Sequence, residues 1–197
     1  MAQGKQAKVI TEKQTRAVLA HLETTRYPLR DRAMFLLSAK AGMRAKEVAS
    51  VTWSMVTDAE GNVGDVIALE NRASKGKGGG RTIPMHPELR AALLVLKEER
   101  SDKARPDFPV IFSERDDGLS PGAVAVWFFR LYAMLGMSGC SSHSGRRTFI
   151  TRAARKISEA GGSLRDVQQL AGHASLQTTA RYIEGDAEAK RKVIALI

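Results

Sequence analysis

The sequence predicts a mainly α-helical protein with one small, three-stranded antiparallel sheet. Apolar residues recur at helical spacing before residue 51 and again after residue 86. Residues 51–85 instead contain short apolar and β-branched runs, separated by turns rich in Gly and Asp. With 197 residues, the chain is long enough to bury a substantial core in one large domain or two small ones.

The N-terminal part is predicted to form three helices. Residues 1–10 are polar and basic, and we interpret them as a flexible arm. Thr11 and Gln14 form a capping-box pattern, which begins a helix that continues to about residue 24. Pro28 suits the first turn of a second helix, and Gly42 suits its end. A third, short helix is expected to open at Arg44.

The sheet is predicted from three short runs, at residues 51–53, 65–69 and 81–84. Residues 58–62 supply the first turn, and the Gly-rich and Lys-rich residues 74–80 supply the second. Pro84 belongs at a strand end or on an edge strand, because proline cannot donate to the ladder.

The rest of the chain is predicted to be helical. A helix follows Pro87, a loop spans residues 101–120, and an amphipathic helix runs from Pro121 to about residue 135, with Trp127 and Phe128 facing the core. Further helices are expected at about 143–160, 164–170, 175–183 and 186–196.

The charge balance favours a polyanionic partner. Thirty-one Lys and Arg against 21 Asp and Glu give a net charge of +10, although such an excess also occurs in proteins without a nucleic-acid partner. A single cysteine, Cys140, excludes an intrachain disulfide and a Cys-cluster zinc site. No apolar run approaches the roughly 18 residues of a membrane span, so we expect a cytoplasmic protein.

The segment with the most chemical information is residues 170–182. Ser163 and Asp166 begin a short helix that Gly172 ends, which places His173 in a turn before a second helix carrying Tyr182. Nine residues separate His173 from Tyr182, which is enough for the second helix to bring the phenol back towards the imidazole. On this spacing alone, the favoured interpretation is that His173 caps a helix end and that Tyr182 packs in the core.

Three other motifs accompany this segment, and together they indicate a family. They are His143-Ser144-Gly145-Arg146, Arg44-Ala45-Lys46-Glu47 and the basic turn of residues 74–81. The order of the arginines, lysine, histidines and tyrosine, with the terminal pattern Leu-x-Gly-His-x-Ser-x-x-x-Thr-x-x-Tyr, resembles the tyrosine recombinase (phage integrase-type) family. The resemblance runs from about Thr11 to the C-terminus and implies that family's catalytic-domain fold, with the catalytic domain at residues 11–185.

The resemblance implies a site-specific DNA recombinase that cleaves and rejoins strands through a covalent 3′-phosphotyrosine. Two arginines would bind the phosphate oxygens, the tyrosine would attack phosphorus, the lysine would protonate the leaving 5′-oxygen, and the histidines would assist. The implied catalytic residues are Arg44, Lys75, His143, Arg146, His173 and Tyr182. In the family's Arg-x-x-Glu motif, the carboxylate of Glu47 would orient the Arg44 guanidinium. Guanidinium groups suit the phosphate role because they stay charged and bind oxyanions in bidentate fashion.

The lysine assignment and the DNA contacts follow the same resemblance. We expect Lys75 rather than Lys77 to be the general acid, although one extra glycine in the turn leaves the register open. Lys77, Arg81 and Arg147 are expected to bind double-stranded DNA. The mechanism requires no cofactor and no metal, and the sequence has no P-loop motif. A DNA partner places the protein in the cytoplasm at the nucleoid.

Two departures from the family pattern concern Gly145 and the N-terminus. The family usually has a bulky apolar residue where Gly145 stands, so we expect an irregular start to that helix. These recombinases commonly carry a preceding DNA-clamping domain, so the chain resembles either the short, single-domain members or a shortened form. The apolar end of the final helix, residues 186–197, is expected either to fold back on its own domain or to dock on a neighbour in a tetramer on two DNA sites.

Three alternative functions stay open on the sequence. A type IB topoisomerase shares the nucleophile and the arginines but relaxes DNA without a defined partner site. A non-catalytic DNA-binding accessory protein descended from a recombinase would keep the fold. A basic RNA-binding scaffold is supported by the charge alone.

Overall fold

The computed structural model describes residues 6–73, 80–115 and 117–182. Within these ranges the structure has eight α-helices and a two-stranded sheet, and the predicted mainly helical fold is confirmed. The helices are α1 (Glu12–Leu22), α2 (Pro28–Ala41), α3 (Ala45–Ser50), α4 (Pro87–Glu99), α5 (Pro121–Met134), α6 (Ser144–Lys156), α7 (Leu164–Ala171) and α8 (Leu176–Ala180).

Local capping residues set several helix ends, as the sequence predicts. The Thr11 backbone N–H donates to Gln14 Oε1 at 3.0 Å, and the Gln14 N–H donates to Thr11 Oγ1 at 3.2 Å, which completes the capping box of α1. Gly42 (φ 65°) and Gly172 (φ 60°) end α2 and α7 in the left-handed conformation, which glycine adopts at little cost.

The sheet pairs β1 (Val66–Leu69) with β2 (Arg81–Pro84) in antiparallel register. Ile67 lies opposite Ile83, and Leu69 lies opposite Arg81. Ile67 and Ile83 are both buried, so the sheet attaches to the core through one face.

The prediction of a third strand at residues 51–53 is wrong. Thr52 forms only an isolated bridge with Pro109, and a 3₁₀ turn begins at Trp53. The segment opposite contains Pro106 and Pro109, which have no N–H to donate, so a regular ladder cannot extend along it.

Two groups of buried side chains form the core. The main group centres on α2, in which residues 33–37 are fully buried, so this helix lies inside the domain. A smaller group of Ile150, Val167 and Ala171 joins α6 to α7, and Tyr182 packs at its edge. Helix α2 contacts both α4 and α6, which connects the main core to the segment that carries Tyr182.

Part of the predicted flexible arm is fixed against the domain, which corrects that expectation for residues 8–10. The Lys8 N–H donates to Gly139 O at 3.1 Å, and the Ile10 N–H donates to Thr148 Oγ1 at 2.8 Å. Ile10 is 1% exposed because its side chain fills a place in the core. Residues 1–5 lie outside the described ranges.

The predicted final helix at residues 186–197 also lies outside the described residues, as do Lys75 and Lys77 of the basic turn. In the parts of the chain that the structure describes, no helix is both long enough and apolar enough to cross a lipid bilayer.

Candidate active site

One buried carboxylate, that of Glu47, holds two arginines together. Arg44 precedes α3, and its Nη1 donates to Glu47 Oε1 at 2.9 Å, while its backbone N–H donates to Glu47 Oε2 at 2.8 Å. Arg81 opens β2, and its Nη1 and Nη2 donate to the same two oxygens at 2.8 and 3.0 Å. Glu47 therefore orients the Arg44 guanidinium, as the Arg-x-x-Glu motif predicts.

The arginines keep this carboxylate ionised. Burial raises the pKa of Glu47, but the hydrogen bond and charge of Arg81, followed by those of Arg44, outweigh burial and lower the pKa to about 2. At neutral pH Glu47 is a buried anion whose charge is balanced by these two cations.

The end of α7 supplies a second set of acceptors. Three successive carbonyls, those of Leu170, Ala171 and Gly172, accept from three different arginines. Arg81 Nε donates to Leu170 O at 2.9 Å, Arg146 Nη2 to Ala171 O at 2.6 Å, and Arg44 Nη2 to Gly172 O at 3.1 Å. The last carbonyls of a helix lack intrahelical partners and carry its negative dipole end, so they suit a cluster of cations.

Arg146 is the more deeply buried of the two predicted catalytic arginines. It is 4% exposed, and its Nη1 donates to Gly42 O at 2.6 Å. Burial, followed by the charge of Arg44, lowers the pKa of Arg146 to about 10, so its guanidinium remains charged at neutral pH.

Gly145 allows this placement, and the irregular helix start expected there is not found. Helix α6 runs without interruption from Ser144 to Lys156. A Cβ on Gly145 would lie 2.5 Å from Ser38 Oγ and 3.1 Å from the Ser38 carbonyl carbon. Glycine is therefore present because α2 and α6 cross closely, which brings Arg146 to Gly42 at the end of α2.

The imidazole of His173 and the phenol of Tyr182 lie face to face. Their ring centroids are 5.6 Å apart and their planes differ by 21°. Helix α8 returns the chain between the two residues, as their nine-residue separation predicts. The site therefore contains both groups of the terminal motif at contact distance.

His173 is held as a neutral base. Its Nδ1 lies 2.9 Å from the Oγ1 of the buried Thr179, the threonine of the terminal motif. Burial lowers the pKa of His173, and nearby arginine charges, led by that of Arg146, lower it further to about 4. The motif position of Thr179 is the sequence signal for its role, which sequence reasoning left unassigned.

A pocket of about 380 Å³ opens beside these groups. His143, at the N-terminus of α6, is exposed and lines the pocket with Arg146 and Tyr182. Gln6 and Ala7 of the N-terminal segment line it as well, which the sequence did not signal. The pocket therefore brings together three of the six predicted catalytic residues. Arg44 is bound to the Gly172 carbonyl, next to the Ala171 carbonyl that holds Arg146, and His173 stacks on Tyr182.

The predicted DNA-binding residues divide into three cases. Lys77, like Lys75, lies outside the described residues. Arg147 borders the pocket, donates to Gln6 Oε1, and places its Cζ 5.7 Å from the centre of the Tyr182 ring. The placement of Arg81 does not support the predicted DNA contact, because its side chain is 8% exposed and its guanidinium donates to Glu47 and Leu170 inside the protein.

The helical fold and the grouped arginine, histidine and tyrosine side chains define a domain of the tyrosine recombinase class. The phage integrase family model matches residues 8–189, and the chain therefore belongs to the phage integrase family.

Relatives and solved structures agree with this assignment. Tyrosine recombinase XerC of Rhodospirillum centenum is 33% identical over 162 residues, which cover 81% of this chain and 44% of the relative. Tyrosine recombinase XerA of Thermococcus onnurineus is 29% identical over 186 residues, which cover 94% of this chain and 61% of the relative. The chain thus spans about half the length of these curated relatives.

Two solved structures share the fold along the whole chain. The crystal structure of XerA recombinase matches with a TM-score of 0.75 and 21% identity, over 100% of this chain and 65% of that chain. The Tn1549 transposon integrase, solved in complex with a circular intermediate DNA, matches with a TM-score of 0.73 and 20% identity, over 100% of this chain and 68% of that chain.

Proposed function

We propose that this chain is the catalytic part of a site-specific DNA recombinase that cleaves and rejoins strands through a 3′-phosphotyrosine. The observation that carries the proposal is the convergence of Arg44, Arg146, His173 and Tyr182 at the end of α7. Residues from three separate parts of the chain meet there, in the order that the family motifs prescribe.

The proposed first step is attack of the Tyr182 phenol oxygen on the scissile phosphorus. A bond forms between that oxygen and phosphorus, the bond from phosphorus to the 5′-oxygen breaks, and the phosphate stays on the tyrosine. Negative charge grows on the non-bridging oxygens in the transition state. Arg44 and Arg146 supply the stabilising charge, a contribution on the order of a few kcal/mol for each donor.

Proton transfer completes the step. The departing 5′-oxygen takes a proton from a general acid, for which we propose Lys75. His173, whose imidazole is neutral at the pH of the cell, has Nε2 available for the phenol proton or the phosphate, because Nδ1 is engaged by Thr179. His143 lines the pocket with Arg146 and Tyr182 and is proposed to share these roles. Rejoining reverses the step, with a 5′-hydroxyl attacking the phosphotyrosine.

The test is covalent adduct formation on nicked DNA that carries the target site, to be sought as inverted repeats in the DNA flanking the gene. We expect wild-type protein to form a protein–DNA adduct that survives denaturant, and we expect Tyr182→Phe to bind the same DNA without forming it. An adduct formed by Tyr182→Phe would show that Tyr182 is not the nucleophile. Relaxation of supercoiled plasmid lacking the repeats would favour the topoisomerase alternative.

We further propose that four protomers act on two DNA sites, and that residues 186–197 dock on a neighbouring protomer. The apolar end of this segment, Val193 to Ile197, supports the proposal, since burying it would contribute about 1.5–3 kcal/mol per large side chain. Deleting residues 193–197 should spare binding to one site and weaken assembly of two. Unchanged assembly of the shortened protein on paired sites would contradict trans docking.

A further inference from the structure

Arg81 connects three parts of the site that are distant in sequence. It begins β2, directly after the basic turn of residues 74–80, and it reaches both Glu47 in α3 and Leu170 in α7. Its side chain is 8% exposed, whereas that of Arg44 is 34% exposed. Arg81 is thus the enclosed arginine of the pair, and Arg44 is the one that remains open to a ligand.

The Glu47 carboxylate, which both arginines contact, makes the position of Arg44 depend on that of Arg81. Arg81 contacts both oxygens of Glu47, which fixes the plane of the carboxylate. Arg44 Nη1 then shares Oε1 with Arg81 Nη1, at 2.9 and 2.8 Å. A lysine has a single nitrogen and cannot hold both oxygens in this planar fashion. The orientation of Arg44 therefore depends on a guanidinium at position 81.

The other edge of Arg81 fixes the turn before His173. Its Nε donates to Leu170 O, and a Cβ on Gly172 would lie only 2.9 Å from its Nη1. Arg81 thus lies directly against the turn whose carbonyls also hold Arg146 and Arg44. Because the three carbonyls are consecutive, a shift of Leu170 would displace the acceptors of the other two arginines.

We propose that Arg81 is a positioning residue for strand cleavage, which sets Arg44 through Glu47 and sets the turn of residues 170–172 that holds Arg44 and Arg146. The role rests on the proposed function, since it concerns the cleavage step. It differs from DNA binding, because Arg81 acts from inside the protein and does not touch the substrate.

The experiment compares Arg81→Lys with Arg30→Lys as a matched control. Arg30 is also buried, donates through Nε and Nη2 to the carboxylate of Asp31, and donates through Nη1 to the Phe112 carbonyl. It lies near the opposite end of α2 from Gly42, about 18 Å away by helix rise. Both variants keep a positive charge and lose the same kind of buried guanidinium.

Three quantities are measured for each folded variant: melting temperature, affinity for uncleaved DNA, and single-turnover rate of adduct formation. We expect both variants to lose a similar amount of thermal stability. Arg81→Lys should keep its DNA affinity within about twofold and slow cleavage roughly 100-fold, the scale of losing one transition-state donor. Arg30→Lys should leave the cleavage rate near that of the wild type.

Coupling to Arg44 separates positioning from a general structural role. Because part of the Arg81 effect passes through Arg44, the double variant Arg44→Lys/Arg81→Lys should cleave faster than the product of its two single effects predicts. Arg44→Lys/Arg30→Lys should instead show the product of its two single effects. The positioning role would be overturned if Arg81→Lys cleaved DNA at the wild-type rate, or if its effect on the cleavage rate and that of Arg44→Lys simply multiplied. Either result would leave the proposed function standing. Failure of the wild-type protein to form any adduct would overturn the proposed function, and the role of Arg81 with it.

Discussion

Three guanidinium groups within one site repel one another, and among the described residues a single carboxylate, that of Glu47, offsets that repulsion. Arg44 and Arg81 share Glu47, while the other described guanidinium hydrogen bonds of the three arginines go to neutral backbone carbonyls at the end of α7 and to the carbonyl of Gly42. A helix C-terminus carries about half a negative charge, so it stabilises cations without cancelling them. The site consequently keeps a net positive charge for a phosphodiester, and a second acidic side chain would have competed with that ligand.

Glu47 makes stability depend on pH in a defined window. Its pKa falls from 4.5 in the unfolded chain to about 2 in the folded protein, so it stabilises the fold fully above about pH 4.5 and loses that contribution as the pH falls towards 2. The shift corresponds to about 3 kcal/mol. We expect Glu47→Gln to be less stable than wild type at neutral pH by about 3–5 kcal/mol, because two arginines lose their buried partner.

The measurement is the free energy of urea unfolding between about pH 7 and about pH 3. The stability gap between wild type and Glu47→Gln should narrow as the pH falls below 4.5. Glu88→Gln is the control, since Glu88 pairs with Arg32 and Lys40 while 30% exposed, and it should cost about 1 kcal/mol or less. A gap for Glu47→Gln that stays constant down to pH 3 would contradict the pairing.

The general acid can be assigned with a sulfur leaving group. A 5′-thiolate is a much weaker base than an alkoxide, so DNA with sulfur at the 5′ leaving position does not need protonation in the transition state. We expect Lys75→Ala to cleave normal DNA slowly, by about 100-fold or more, and to recover most of its rate on the sulfur substrate. Lys77→Ala is the matched control, and recovery confined to that variant would move the role to Lys77.

At the scale of elements, the close crossing of α2 and α6 places the second arginine. Gly145 faces Ser38, and on the other side of the crossing Gly42 faces Phe149, whose Cδ1 would lie 2.4 Å from an added Cβ. The crossing therefore has no room for side chains at either glycine, and the distance from Arg146 to Gly42 O depends on it.

Gly145→Ala should separate the two helices and destabilise the protein by about 1–3 kcal/mol, the usual cost of overpacking. Ser38 Oγ is buried without a hydrogen-bond partner among the described residues, so Ser38→Ala alone should cost little and should recover part of the loss in the double variant. Chemical denaturation of the four proteins measures this. If Gly145→Ala cost the same stability with and without the Ser38 hydroxyl, the contact between position 145 and that hydroxyl would not limit how closely α2 and α6 cross.

Local sequence patterns predicted the features that depend on neighbouring residues. The Ser163–Asp166 capping box, the left-handed Gly172 and the return of Tyr182 to His173 all follow from short spacings, and the structure confirms each. The failures involve contacts between distant segments. The strand at 51–53 is broken by prolines more than 50 residues away, and Arg81 is enclosed by residues 34 and 89 positions away in sequence. In both cases the sequence next to the affected residues gives no sign of the distant segment that contacts them.

At the scale of the molecule, the basic residues are of two kinds: some are buried and paired inside the protein, and others are available to bind phosphate. Arg30 and Arg81 are buried and paired, so they add to the net charge of +10 without offering a phosphate contact. Arg147 borders the Tyr182 pocket, and its described side-chain hydrogen bond goes to the neutral oxygen of Gln6. A phosphate could replace that oxygen at small cost, because an ionised acceptor forms the stronger bond with a guanidinium.

DNA affinity should therefore fall steeply with salt, and the slope should separate these two kinds of arginine. Each phosphate contact contributes about −0.9 to the slope of log affinity against log salt. We expect Arg147→Gln to reduce the magnitude of the slope by about one such contact, and Arg81→Lys and Arg30→Lys to leave it unchanged. Fluorescence anisotropy with labelled duplex DNA over a range of salt concentrations measures the slopes. A slope that changes with Arg81→Lys would place that guanidinium at the DNA, and a slope unaffected by Arg147→Gln would remove Arg147 from the interface.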